Sequence, residues 1–92
     1  ETTARILHAG ESWTIENATN KTYSILALAS NTEVSEQGLE WELDHAKLGL
    51  LADTGISNIV RGTATIEVHQ GTAIAYLLHQ GFIGTADKNN RS

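Results

Sequence analysis

The sequence predicts a mainly β domain, a small antiparallel β-sandwich or partly open barrel, on three observations. Apolar residues recur mostly with a period of two rather than 3.6. The apolar runs are short and are separated by breaks rich in Gly, Asn and Ser. Eleven threonines suit strand faces that meet water or another subunit. At most one short helix, near 45–53, is expected, and an α+β fold with a helix over 38–53 is the alternative.

The elements follow in chain order. Arg5 to His8 and Ser12 to Ile15 are short alternating runs joined at Ala9, Gly10 and Glu11. Asn17 to Thr22 has turn composition. Tyr23 to Ala29 is a longer apolar run, suited to a central strand buried on both faces, and Ser30, Asn31 and Thr32 break it. Runs at Ile56 to Val60, Thr63 to His69 and Thr72 to His79 follow, and Phe82 with Ile83 adds a last short element.

Gly38 to Asp53 admits two readings. As a strand over 38–44, Leu39, Trp41 and Leu43 face inward while Glu40, Glu42 and Asp44 face outward. As a helix, Leu39, Leu43, Ala46 and Leu50 form one stripe, with Ser35 at its start and Gly55 at its end. The helical stripe leaves Trp41 and Leu48 on the wrong side, and Gly49 weakens its interior by about 1 kcal/mol. The strand is therefore preferred, with a helical turn or short helix after it.

The clearest signal is a hairpin from Thr63 to His79 with Gln70 and Gly71 as its turn. In that register Ile66 lies opposite Ala75 and Val68 opposite Ala73. One face then collects Ala64, Ile66, Val68, Ala73, Ala75 and Leu77. The other carries Ile74, Tyr76 and Leu78, too apolar for plain solvent surface, which makes these three candidates for an interface.

A chain of 92 residues supports one domain, 1–92, with a polar flexible tail at 86–92. A start at Glu1 suggests a processed product, an excised domain or part of a longer chain. No stretch approaches the ~20 apolar residues of a membrane helix. Six Lys and Arg face eleven Asp and Glu, a net charge of −5, and the bases are scattered, which excludes a phosphate-gripping nucleic-acid binder. The acids cluster at Glu33, Glu36, Glu40, Glu42 and Asp44, an acidic edge that keeps the chain soluble or docks a basic partner, with Glu36 and Glu40 as its candidate contacts.

The chain has no Cys, so thiolate chemistry and disulfides are excluded. His8, His45, His69 and His79 show no metal-ligand spacing, and no metal or cofactor is expected. There is no Gly-x-Ser-x-Gly elbow, no Gly-x-Gly-x-x-Gly and no Walker loop. Asn17, Asn20 and Asn90 head Asn-x-Ser/Thr triplets, which carry glycans only in a secretory context. Trp13 and Trp41 are either core residues or exposed ligand contacts of the kind that stack on sugars.

These features predict a protein that is not an enzyme. The first expectation is a structural or accessory domain that docks on a protein surface or self-associates. The short β-rich chain resembles phage capsid decoration proteins, so a virion, capsid or cell-surface module fits, and an extracellular or virion-surface location is favoured. The alternative is a secreted glycan-binding or toxin-like domain. Expected partners are a protein or a second copy of the chain, or a glycan, with no nucleic acid and no membrane span.

Overall fold

A computed structural model describes residues 2–50 and 58–78. Seven strands make up the fold: β1 (Thr2–His8), β2 (Ser12–Ile15), β3 (Thr22–Ala27), β4 (Thr32–Leu39), β5 (Leu43–Leu48), β6 (Asn58–Gln70) and β7 (Thr72–Leu78). Every ladder is antiparallel. The strand order is β1-β7-β3-β6-β4-β5, with β2 added beside β6, and the sheet is not closed. The long β6 joins two layers. Its first residues pair with β3 (Tyr23 with Asn58), which ties it to the β1-β7-β3 layer, while the rest pairs with β2 and β4 to form the β2-β6-β4-β5 layer. The mainly β sandwich or open barrel expected from the sequence is the fold observed, and no helix occurs among the described residues.

The core follows from the period-two pattern. Tyr23, Ile25 and Ala27 alternate inward along β3, Ala64, Ile66 and Val68 along β6, and Ala73, Ala75 and Leu77 along β7, all buried. Trp13, Ile15, Val34, Leu39 and Val60 close the same cluster. Each large side chain taken from water in this way contributes about 1.5–3 kcal/mol.

The 63–79 segment corrects the hairpin. The apolar face is the one expected, but β6 and β7 do not pair with each other. β7 pairs with β1 and β3, and β6 with β2, β3 and β4. Ile66 therefore pairs with Trp13 and Glu36, and Ala75 with Arg5 and Ile25. The chain turns a corner at Gly71, in the left-handed region at φ 78°, and passes from one layer to the other. A Cβ at Gly71 would overlap Thr32, which is fully buried there. The Thr32 hydroxyl lies 2.8 Å from the Ala29 carbonyl and 3.0 Å from that of Thr72. β1 and β2 make the matching corner. β1 runs along β7 and β2 along β6, and Gly10 N donates to Val68 O at 2.8 Å. An arch and a hairpin bury the same alternate residues and differ only in which backbone groups bond, so the apolar pattern is common to both.

The 38–50 part of the 38–53 segment is also corrected, and 51–53 lie outside the described residues. It holds the end of β4, a turn at residues 40–42 and β5, so Trp41 leaves the inward row of Leu39 and is 51% exposed. Over 45–48 the chain is strand rather than helix, with His45 at φ 51° beside a register shift between Val34 and Glu36. The acidic edge conceals a strand that was not expected, β4, in which Glu36 points into the core. The expected element at 82–83, the tail 86–92, His79 and Asn90 lie outside the described residues.

Candidate functional site

The site gathers where β4 ends and β6 begins. At Gln37–Leu39 the β4–β6 register slips, and Gly38 takes φ 80° to accommodate the shift. Its N–H donates to Glu42 Oε2 at 2.9 Å, which folds the 40–42 turn back on the strand. Glu40 N still reaches Ile59 O at 2.8 Å, so the ladder continues one residue beyond β4. The next rung is made by a side chain. Asn58 Oδ1 accepts from Trp41 N at 2.9 Å, and Asn58 Nδ2 donates to Trp41 O at 2.6 Å. Both backbone polar groups of Trp41 are thus satisfied while the residue as a whole stays half exposed.

The turn that carries Trp41 is rich in charged residues. Glu40 pairs with Arg61 at 2.5 Å, and Arg61 also donates to Asn20 Oδ1 at 3.0 Å, bracing the turn from the outside. Glu42 and Asp44 are exposed. An exposed indole whose backbone is held in place can stack a flat cationic ligand.

Beneath this end lies a buried polar pair. Tyr23, the ladder partner of Asn58, donates its hydroxyl to Glu36 Oε2 at 2.9 Å, bridging the two layers, and each residue is only 1% exposed. Burial pushes the Glu36 carboxyl up to about 7, opposed by the hydrogen bond from Tyr23. Burial, and then the neighbouring carboxylate, raise the Tyr23 phenol well above its ordinary value.

The residues singled out from sequence fall in different places. Glu36 is a core group and cannot serve as a docking contact, whereas Glu40 is exposed and ion-paired. Trp13 is core, with the Arg5 guanidinium 5.1 Å from its ring centroid, so it offers no ligand face. Trp41 alone of the two is available. Ile74, Tyr76 and Leu78 share the outer face of the β1-β7-β3 layer, where Ile6, Ile74 and Leu26 form one cross-strand row. That face stays open at Ile6 and Leu78. Asn58, Arg61 and Gly38 had no sequence signal, because their roles depend on partners 17 to 41 residues away in the chain.

On the opposite side of the β4 backbone, the His45 and His69 rings stack at 4.1 Å, and Ser35 Oγ lies 2.8 Å from His69 Nε2. The Asp44 carboxylate, hydrogen-bonded to His45, raises the His45 pKa. No three His, Asp or Glu side chains converge as metal ligands among the described residues. No helix among them is long and apolar enough to cross a membrane.

The sequence and the fold match one class of protein. The family described as "Thiamin pyrophosphokinase, vitamin B1 binding domain" matches residues 11–73, most of the chain. The chain belongs to that family. Among solved structures, thiamine pyrophosphokinase from Bacillus subtilis superposes with a TM-score of 0.70 at 15% identity, over 83% of this chain and 36% of that one. A protein from Lactobacillus plantarum superposes with a TM-score of 0.63 at 13% identity, over 83% and 37%. The chain therefore spans little more than a third of the length of these structures. No curated protein matches the sequence.

The family overturns four expectations. A virion, capsid or cell-surface accessory role is replaced by a domain named for vitamin B1 binding, and the glycan-binding or toxin-like alternative falls with it. The expectation of no enzyme is overturned, because the family is a part of a pyrophosphokinase. The extracellular or virion-surface preference loses its basis for the same reason. The missing catalytic motif misled, since a domain that binds a substrate needs a shaped surface and no nucleophile of its own.

Proposed function

We propose that this chain is the thiamine-binding unit of a thiamine pyrophosphokinase and that Trp41 presents the face on which the ligand's cationic ring stacks. The observation that carries the reading is the half-exposed Trp41, held through both backbone groups by a buried asparagine. An indole left in water without function would be an exposed large aromatic with no compensating burial. Here the fold spends a buried carboxamide to hold it. Thiamine carries a thiazolium cation, which suits an indole face, and Glu42 and Asp44 add negative charge to the same stretch of sequence. The nucleotide side of the reaction would then lie in the part of the relatives' length that this chain does not span, in keeping with its lack of a phosphate-cradling glycine loop.

The test is a thiamine titration followed by calorimetry. Trp41→Ala is expected to weaken binding roughly 10- to 100-fold, the loss of a desolvated cation–π contact and its stacking area. Because Trp41 is half exposed, the same change should cost at most about 1 kcal/mol of stability in urea unfolding. Unchanged affinity would reject the stacking role, and a large loss of stability would return Trp41 to the core.

A further inference from the structure

We infer that Asn58 is the positioning residue of this site: its carboxamide stands in for a missing peptide group and fixes where the Trp41 ring is held. The inference rests on the thiamine-binding reading for its functional meaning, but not for its geometry. A carboxamide has the donor and acceptor of a peptide bond in the same plane. Asn58 uses both on one residue, accepting from Trp41 N and donating to Trp41 O, and its oxygen also accepts from Ile59 N at 3.0 Å. The β4–β6 ladder runs through Leu39 with Val60 and then Glu40 N to Ile59 O. The Asn58 side chain supplies the rung after these, at the point where the main chain has already begun to turn. Asn58 is 5% exposed, so water does not compete for these bonds. Its strand partner Tyr23 anchors it from the other layer. Trp41 is thereby pinned at the backbone and free at the ring, the arrangement a stacking platform needs if binding is not to be offset by ordering a loose loop.

The residue type matters. A carboxylate in place of the amide keeps the acceptor, loses the donor to Trp41 O, and puts a charge where the side chain is 5% exposed. A protonated carboxyl restores a donor and an acceptor in nearly the same shape.

Two measurements on the full chain decide the matter. In the first, without ligand, iodide quenching and fluorescence anisotropy follow Trp41, since Trp13 is buried. Asn58→Asp is expected to lower the anisotropy and raise the quenching at pH 8, and both should return toward the unmodified values as the solution is acidified and the introduced carboxyl takes up a proton. In the second, thiamine affinity is measured in a double-mutant cycle. Asn58→Asp should weaken binding about tenfold in the otherwise unmodified chain and have almost no effect in the Trp41→Ala background, because it acts through Trp41. If Asn58→Asp does not fold, Asn58→Ser, which adds no charge and cannot make both bonds, is read in the same way. Equal losses in both backgrounds, or unchanged Trp41 anisotropy and quenching, would overturn the positioning role. If Trp41→Ala leaves thiamine binding intact, the stacking reading fails instead, and the ligand-free measurement still decides what Asn58 does.

Discussion

Gly38→Ala is expected to destabilise the fold by about 3–5 kcal/mol, enough to lower the melting temperature by more than about 15 °C in a domain of this size. The residue sits at φ 80°, a region that costs an alanine about 1–2 kcal/mol by itself. The larger part is steric. A Cβ at Gly38 would overlap the Thr63 carbonyl and the Ala64 Cα. Those are backbone atoms of β6, so no side-chain rotation relieves the clash, and β4 would have to part from β6. The control is Gly62→Ala, whose Cβ would meet nothing within 4 Å and whose backbone is not left-handed. It should stay within about 0.5 kcal/mol of the unmodified chain. Urea unfolding of both variants checks the contrast. Equal stabilities would mean that β4 does not run against β6 as described. Any thiamine binding that survives Gly38→Ala should also be weaker, because the same bulge aims the 40–42 turn.

The second large effect is a dependence of stability on pH. The Glu36 carboxyl titrates near 4.5 when exposed and near 7 in the fold, where burial disfavours its charge. The folded state therefore holds this proton more tightly than the unfolded chain does. The contribution is fully present below pH 4.5, is lost as pH rises toward 7, and is flat above that. The shift corresponds to about 3 kcal/mol at its full extent. Glu36→Gln keeps an acceptor for the Tyr23 hydroxyl and carries no charge. Its stability relative to the unmodified chain should thus rise between pH 4.5 and 7 and end above it at pH 8. Using the difference between the two curves cancels the other carboxylates. Parallel curves over that range would show that Glu36 is not desolvated.

The inward-facing residues were legible in the sequence and the strand partners were not. Ala64, Ile66, Val68, Ala73, Ala75 and Leu77 share the buried side as the alternation required. The same alternation cannot distinguish a hairpin from an arch, and at Gly71 the chain makes the arch. Glu36 shows a second limit. An acid within Glu33 to Glu40 reads as a solvated face unless its buried partner is known, and that partner is Tyr23, on another strand. At Trp41 the apparent period of two ran through a turn, so a ring expected to face inward faces out. The ligand class left no motif at all. The proposed stacking of a cationic ring requires one indole at a fixed position, and neither Trp41 nor Asn58 has a spacing to recognise.

The place of β7 bears on the order in which the chain can fold as it is made. β7 is the last strand described, yet it lies between β1 and β3 and supplies the long ladder of each. During synthesis β4 and β5 can pair as soon as they emerge, because a short turn joins them. β1 and most of β3 must wait with unpaired edges until residue 78 has left the ribosome. An incomplete chain thus displays Ile25, Ala27 and Leu7, residues that the finished fold hides. Translation that pauses before β7 should leave a nascent chain that recruits holding chaperones and is readily cleaved by proteases, and release of a few more residues should end both.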